Sequence, residues 1–86
     1  MKRKERPQGV RYKEMKSRDS WLEEARSFII EWDRATGKTP TLEDVKSVLA
    51  TIDDALEIAV FHGFHSVEEY AEELYGYIKE VLADER

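Results

Sequence analysis

The stretch LEDVKSVLATIDDALEIAVFH, residues 42–62, decides how many helices this chain contains. At about 100° per residue, Leu42, Val45, Val48, Leu49, Ile52, Ala55, Leu56, Ala59 and Val60 fall on one face, within an arc of about 140°. Two helices meeting at an angle would reset that phase. The pattern therefore predicts one continuous helix over 42–62. Inside it, Thr51-Ile-Asp-Asp54 repeats the Ser/Thr-x-x-acid spacing of a helix start, which marks 50–52 as the place where the helix would kink or break.

The same spacing recurs on both sides. Ser20-Trp-Leu-Glu23, Thr41-Leu-Glu-Asp44 and Ser66-Val-Glu-Glu69 each offer a hydroxyl that can accept an orphan backbone N–H, and a carboxylate that can reach back to the cap. Gly37 and Gly63 supply matching stops, because glycine enters the left-handed conformation cheaply. Between residues 21 and 36, Trp21, Leu22, Ala25, Phe28, Ile29, Trp32 and Ala35 share one face, and only Ile30 lies outside it. Between 67 and 84, Val67, Tyr70, Ala71, Leu74, Tyr75, Tyr77, Ile78, Val81 and Leu82 do the same. The links 36–41 and 63–66 are short, which favours antiparallel neighbours. The expected fold is all-α, a three-helix antiparallel bundle over about 20–36, 41–62 and 66–84.

Residues 1–19 have no sustained period. Arg6-Pro7-Gln8-Gly9 has turn composition, and Val10-Arg-Tyr12-Lys13 alternates too briefly to stand as a strand. The expectation is a flexible basic arm, followed by an acidic helical domain over 20–86. Charge divides along the same line. Residues 1–18 hold eight Lys/Arg against two Glu, a net of +6, whereas residues 19–86 hold six against seventeen Asp/Glu, a net of −11. The whole chain of 86 residues is thus −5 only by cancellation.

A chain of this length buries a modest core, and without cysteine it has neither disulfide nor thiolate metal site to staple it. Regular helix packing or a partner must supply the stability. Asn is absent, Gln occurs once, and 38% of the residues are charged, a profile found in heat-adapted proteins. The basic start is not followed by an apolar signal region, and no apolar run reaches membrane-spanning length, so a cytoplasmic protein is expected.

Catalytic signals are weak. Gly37-Lys38-Thr39 matches the tail of a phosphate-binding loop, but position 32 is Trp32 rather than Gly, and helix rather than strand precedes it. His62 and His65 flank Gly63, which interrupts the continuous helix that a metal-binding pair needs. No Ser occupies a Gly-x-Ser-x-Gly turn. The carboxylate pairs Glu68/Glu72 and Glu69/Glu73 fall on a polar face rather than in a desolvated cleft. We expect no enzyme activity, no cofactor and no metal.

Surfaces are more informative. The last helix directs Glu68, Glu69, Glu72, Glu73, Glu80 and Asp84 outward with Lys79 alone among them. The middle one directs Glu43, Asp53, Asp54 and Glu57 outward, relieved by Lys46. Ile58, Phe61 and Gly76 fall on these polar sides, where an aromatic suits an interface and a helical glycine costs about 1 kcal/mol relative to alanine.

The run from Phe28-Ile29-Ile30 through Thr36-Gly37-Lys38-Thr39-Pro40-Thr41-Leu42-Glu43-Asp44-Val45 resembles the first two helices of winged-helix DNA-binding domains. That resemblance implies a recognition helix over 53–62. Those residues contain no Lys or Arg, carry Asp53, Asp54 and Glu57, and are followed by a helical pattern instead of a wing hairpin.

The leading expectation is a non-enzymatic protein-binding module, an adaptor, inhibitor or assembly factor. It would use Asp53, Asp54, Glu57, Ile58, Phe61, Glu68, Glu69, Glu72, Glu73, Gly76 and Glu80. The alternatives are nucleic-acid binding by the arm, with Lys2, Arg3, Lys4, Arg6, Arg11, Lys13, Lys16 and Arg18 on phosphates, or an acidic body that mimics DNA.

Overall fold

The computed structural model describes residues 16–84. It contains four helices: α1 (Arg18–Thr36), α2 (Leu42–Ala50), α3 (Ala55–Phe61) and α4 (Val67–Asp84). No strand occurs among the described residues. The all-α expectation holds, but the helix count does not. The continuous middle helix is two helices joined by Thr51–Asp54.

The break has a local cause. The Thr51 hydroxyl donates to the Val48 carbonyl at 2.6 Å, competing with the helical ladder. The backbone N–H groups of Thr51, Ile52 and Ala55 each donate three residues back, to Val48, Leu49 and Ile52, all at 3.1 Å. That tighter winding ends α2. Asp53 and Asp54 are poor helix formers whose charge is unfavourable at a helix C-terminus and favourable ahead of an N-terminus, where the break puts them. The consequence is a change of face. Leu42, Val45, Val48 and Leu49 turn inward as the phase predicts, and so does Ala59 in α3, but Ile52, Leu56 and Val60 are exposed.

The remaining helix ends follow their caps closely. The Thr41 hydroxyl accepts the Asp44 N–H at 3.2 Å while the Asp44 carboxylate accepts the Thr41 N–H at 2.9 Å, a complete capping box. The Ser66 hydroxyl accepts the Glu69 N–H at 3.1 Å, but the Glu69 carboxylate reaches the N–H of His65 at 2.8 Å, one residue earlier. Gly37 ends α1 with φ 72°, and Gly63 follows α3 with φ 93°. Both lie in the left-handed region that disfavours any side chain. At the start of α1 the cap is Ser17 rather than Ser20; its hydroxyl accepts the Ser20 N–H at 3.1 Å. The helix therefore takes in Arg18 and Asp19, which the sequence pattern assigns to the arm.

α4 is the hub, since α1, α2 and α3 all pack against it. It contributes Tyr70, Ala71, Leu74, Ile78 and Val81 to a core completed by Trp21 and Ala25 from α1, Val45 and Leu49 from α2, and Ala59 from α3. Trp21 anchors an aromatic cluster, stacked on Tyr77 with centroids 5.4 Å apart and flanked by Tyr70 at 5.1 Å and Phe64 at 6.0 Å. Such pairs add to area burial through their quadrupoles. Ile30, outside the apolar arc of α1, is exposed as the periodicity requires.

Candidate functional site

α3 is built almost entirely of apolar residues, ALEIAVF, yet Ala59 is its only buried one. Leu56 is 56% exposed, Val60 54%, Phe61 51% and Ile58 39%; Ile52 in the preceding turn is 41% exposed. Completing the burial of such side chains is worth roughly 1 kcal/mol each, about half the value for full transfer from water. Leu56 and Val60 expose apolar surface on one flank of α3 and Ile58 on the other, and exposed apolar patches mark interaction surfaces.

These residues shape two hollows. An open groove of about 430 Å³ lies between the C-terminus of α2, the Thr51–Asp54 turn, α3 and the start of α4, lined by Ala50, Ile52, Ala55, Leu56 and Val67 together with Lys46, Asp53, Ser66 and Glu68. A smaller hollow of about 60 Å³ is lined by Leu49, Ile52, Ala55, Ile58, Val67, Tyr70 and Glu24.

Around the apolar residues lie carboxylates. Asp53, Asp54, Glu57, Glu68, Glu69, Glu72 and Glu73 are all exposed. Glu69 has His65 Nδ1 at 3.5 Å, and Glu80 takes Arg18. Glu68, Glu72 and Glu73 have no cationic partner among the described residues. Gly76, midway along α4, is exposed, and a Cβ built on it meets nothing within 4 Å. The fold does not need a glycine there. It sits in a shallow depression with Arg18, Glu72, Glu73, Tyr77 and Glu80.

Two of the eight basic candidates are engaged within the domain. The Lys16 ammonium bonds the Glu24 carboxylate, donates to the Tyr70 hydroxyl at 2.8 Å and lies 4.3 Å from the Trp21 ring centroid. Tyr70 in turn donates to Glu24 at 2.9 Å. Burial lowers the Lys16 pKa and raises that of the Tyr70 phenol, since both charged forms are disfavoured away from water. Arg18 makes a two-point contact with Glu80, its Nη1 at 3.2 Å from Oε1, and that hydrogen bond raises the guanidinium pKa further. Lys2, Arg3, Lys4, Arg6, Arg11 and Lys13 lie outside the described residues, as does the greater part of the arm.

Gly37-Lys38-Thr39 is the C-terminal cap of α1, and the Lys38 N–H donates to the Thr36 hydroxyl at 3.1 Å. His62 lies against the Phe61 and Tyr70 rings, at 5.1 and 6.1 Å, while His65 is exposed. No group of three potential metal ligands converges among the described residues, and none of their helices is long and apolar enough to cross a membrane.

Residues 55–61 do form a helix after a turn, as the winged-helix resemblance implies. It carries no cation, however, and α4 rather than a strand follows it. Sequence periodicity missed Ile52, Leu56 and Val60 as surface residues because it assigned them to the core. The signal that identifies them is Thr51-Ile-Asp-Asp54, the helix restart that resets the phase. No family model, curated protein or solved structure matches the chain.

Proposed function

We propose that the chain is a non-enzymatic protein-binding module whose partner presents a basic surface. The observation that carries the reading is Gly76. A helix-interior glycine costs about 1 kcal/mol relative to alanine. No neighbour among the described residues requires it, and the depression around it holds Glu72 and Glu73 beside the Arg18–Glu80 pair. A close intermolecular approach by a cationic partner accounts for both the missing side chain and the unpaired charge of Glu72 and Glu73. The residues from 16 to 84 hold seven Lys/Arg against sixteen Asp/Glu, a net of −9, so the domain attracts basic surfaces at long range and repels phosphates. That repulsion makes nucleic acid a poor partner for the α3–α4 side.

Affinity capture with the full chain from the cells that express it tests the reading, run beside Glu72→Lys/Glu73→Lys. The expected outcome is a stoichiometric protein that co-purifies with the native chain and is lost with the reversed charges. Nucleic acid recovered in place of protein, insensitive to the reversal, would transfer the function to the basic arm.

A further inference from the structure

We infer that the groove between α2, α3 and the start of α4 seats an amphipathic, cationic helix of the partner protein. The inference rests on the protein-binding reading and adds where the partner's apolar anchors go and what they look like.

The first argument is unspent apolar surface. Leu56 and Val60 stand one helical turn apart on the same flank of α3, and Ile52 continues their line into the turn. Ile52 and Leu56 line the groove itself and Val60 stands one turn beyond it, so the apolar face of a helix laid there meets side chains along its length. The groove floor supplies Ala50, Ala55 and Val67, small or branched side chains that leave room for larger anchors.

Charge is the second argument. Asp53 and Glu68 line the groove, and Asp54 and Glu57 lie beside it, all exposed. The one cation lining it, Lys46, already faces Glu43 at 3.8 Å. An incoming helix gains from Lys or Arg on both flanks of its apolar stripe, and an acidic one is repelled.

The same charges argue against the competing occupants. A second copy docked here by two-fold symmetry brings the same patch of each protomer together, and so sets the carboxylates of Asp53, Asp54, Glu57 and Glu68 against an equally acidic surface. Anionic lipid repels a domain of net −9.

The probe is a fluorescein-labelled synthetic helix of leucine and lysine, with leucines at i, i+3, i+4 and i+7, titrated with the full chain and followed by anisotropy. A peptide of the same composition in scrambled order and a leucine–glutamate counterpart serve as controls. Leu56→Gln/Val60→Gln keeps the net charge and replaces side chains that are more than half exposed. Ile52→Gln provides a second, independent lesion at the same groove, and circular dichroism confirms that both variants are folded. The expected result is binding of the patterned cationic helix, at least tenfold weaker binding of both controls, and at least tenfold loss in the groove variants. Equal binding of the patterned and scrambled peptides overturns the inference. So does loss on Glu72→Lys/Glu73→Lys with unchanged affinity of the groove variants, an outcome that leaves the protein-binding reading standing. Indifference to every substitution removes both. A chain that proves dimeric, and becomes monomeric on Leu56→Gln/Val60→Gln, assigns the groove to a second copy and also overturns the inference.

Discussion

Replacing Gly76 by alanine should stabilise the domain. The position is inside α4, its backbone is ordinary helix, its surface is open, and the added methyl group meets no atom within 4 Å. Nothing offsets the gain in helix propensity, which for glycine to alanine is about 1 kcal/mol. In a domain of 60–100 residues that free energy moves the melting midpoint by roughly 4–8 °C. Thermal unfolding followed at 222 nm measures it directly, with the midpoint compared at equal protein concentration. A larger residue with good helix propensity separates the two roles assigned to the position. Gly76→Gln should share the thermal gain and yet lose at least tenfold in affinity for the captured partner, because its side chain fills the depression beside Glu72, Glu73 and Glu80. A melting midpoint that falls on Gly76→Ala would refute the reasoning. It would show that the fold itself requires the glycine, and the chief support for an interface there would vanish.

Leu56→Gln/Val60→Gln should leave stability within about 0.5 kcal/mol of the native chain, since both side chains already face water; urea denaturation measures this, and a loss above that size would mean that α3 is anchored through them. Leu74→Ala should cost about 3 kcal/mol, because Leu74 is fully buried at the hub of the core, and the midpoint should drop by more than ~12 °C. The Tyr70 hydroxyl bridges Glu24 and Lys16, so Tyr70→Phe should cost about 1–2 kcal/mol at neutral pH. The raised pKa of Tyr70 sets the sign of its pH dependence: its contribution is complete below the ordinary phenol value of 10.0 and is lost as pH rises through the folded value. Lys16 runs the other way, because its lowered pKa makes the folded chain release that proton first, so its contribution grows as pH rises toward 10.5. Absorbance at 295 nm resolves the phenol alone, and the late-ionising step should disappear in Tyr70→Phe.

Most of the helical framework was legible because caps and periodicity agreed. Thr41–Asp44 and Gly37 are local devices, and the apolar arcs of α1 and α4 both point at one core. The middle segment was not legible by phase alone. Ile52, Leu56 and Val60 continue the pattern of Leu42 to Leu49 in sequence, so periodicity cannot distinguish a buried stripe from one that a turn has moved into solvent. The Thr51 hydroxyl and the two aspartates that follow it decide the matter, through hydrogen bonds and charge rather than hydropathy. The start of α1 escaped for a different reason. Ser20 carries the fuller capping pattern, with Glu23 three residues on, whereas Ser17 caps the helix without one, and the long-range contacts of Lys16 with Tyr70 and of Arg18 with Glu80 accompany the earlier start. Of the acidic and apolar candidates, Ile58, Phe61 and Gly76 lie exposed where the helical pattern puts them. Ile52, Leu56 and Val60 join them only once the break is known.

Backbone amide mapping by nuclear magnetic resonance tests the central claim most directly. On titrating the isotopically labelled full chain with the leucine–lysine helix, the account predicts shift changes concentrated in Thr51–Asp54, α3 and the outward face of α4. Changes confined to the outer face of α1, around Ser27, Ile30 and Arg34, or none at a peptide excess that saturates the anisotropy signal, would contradict it.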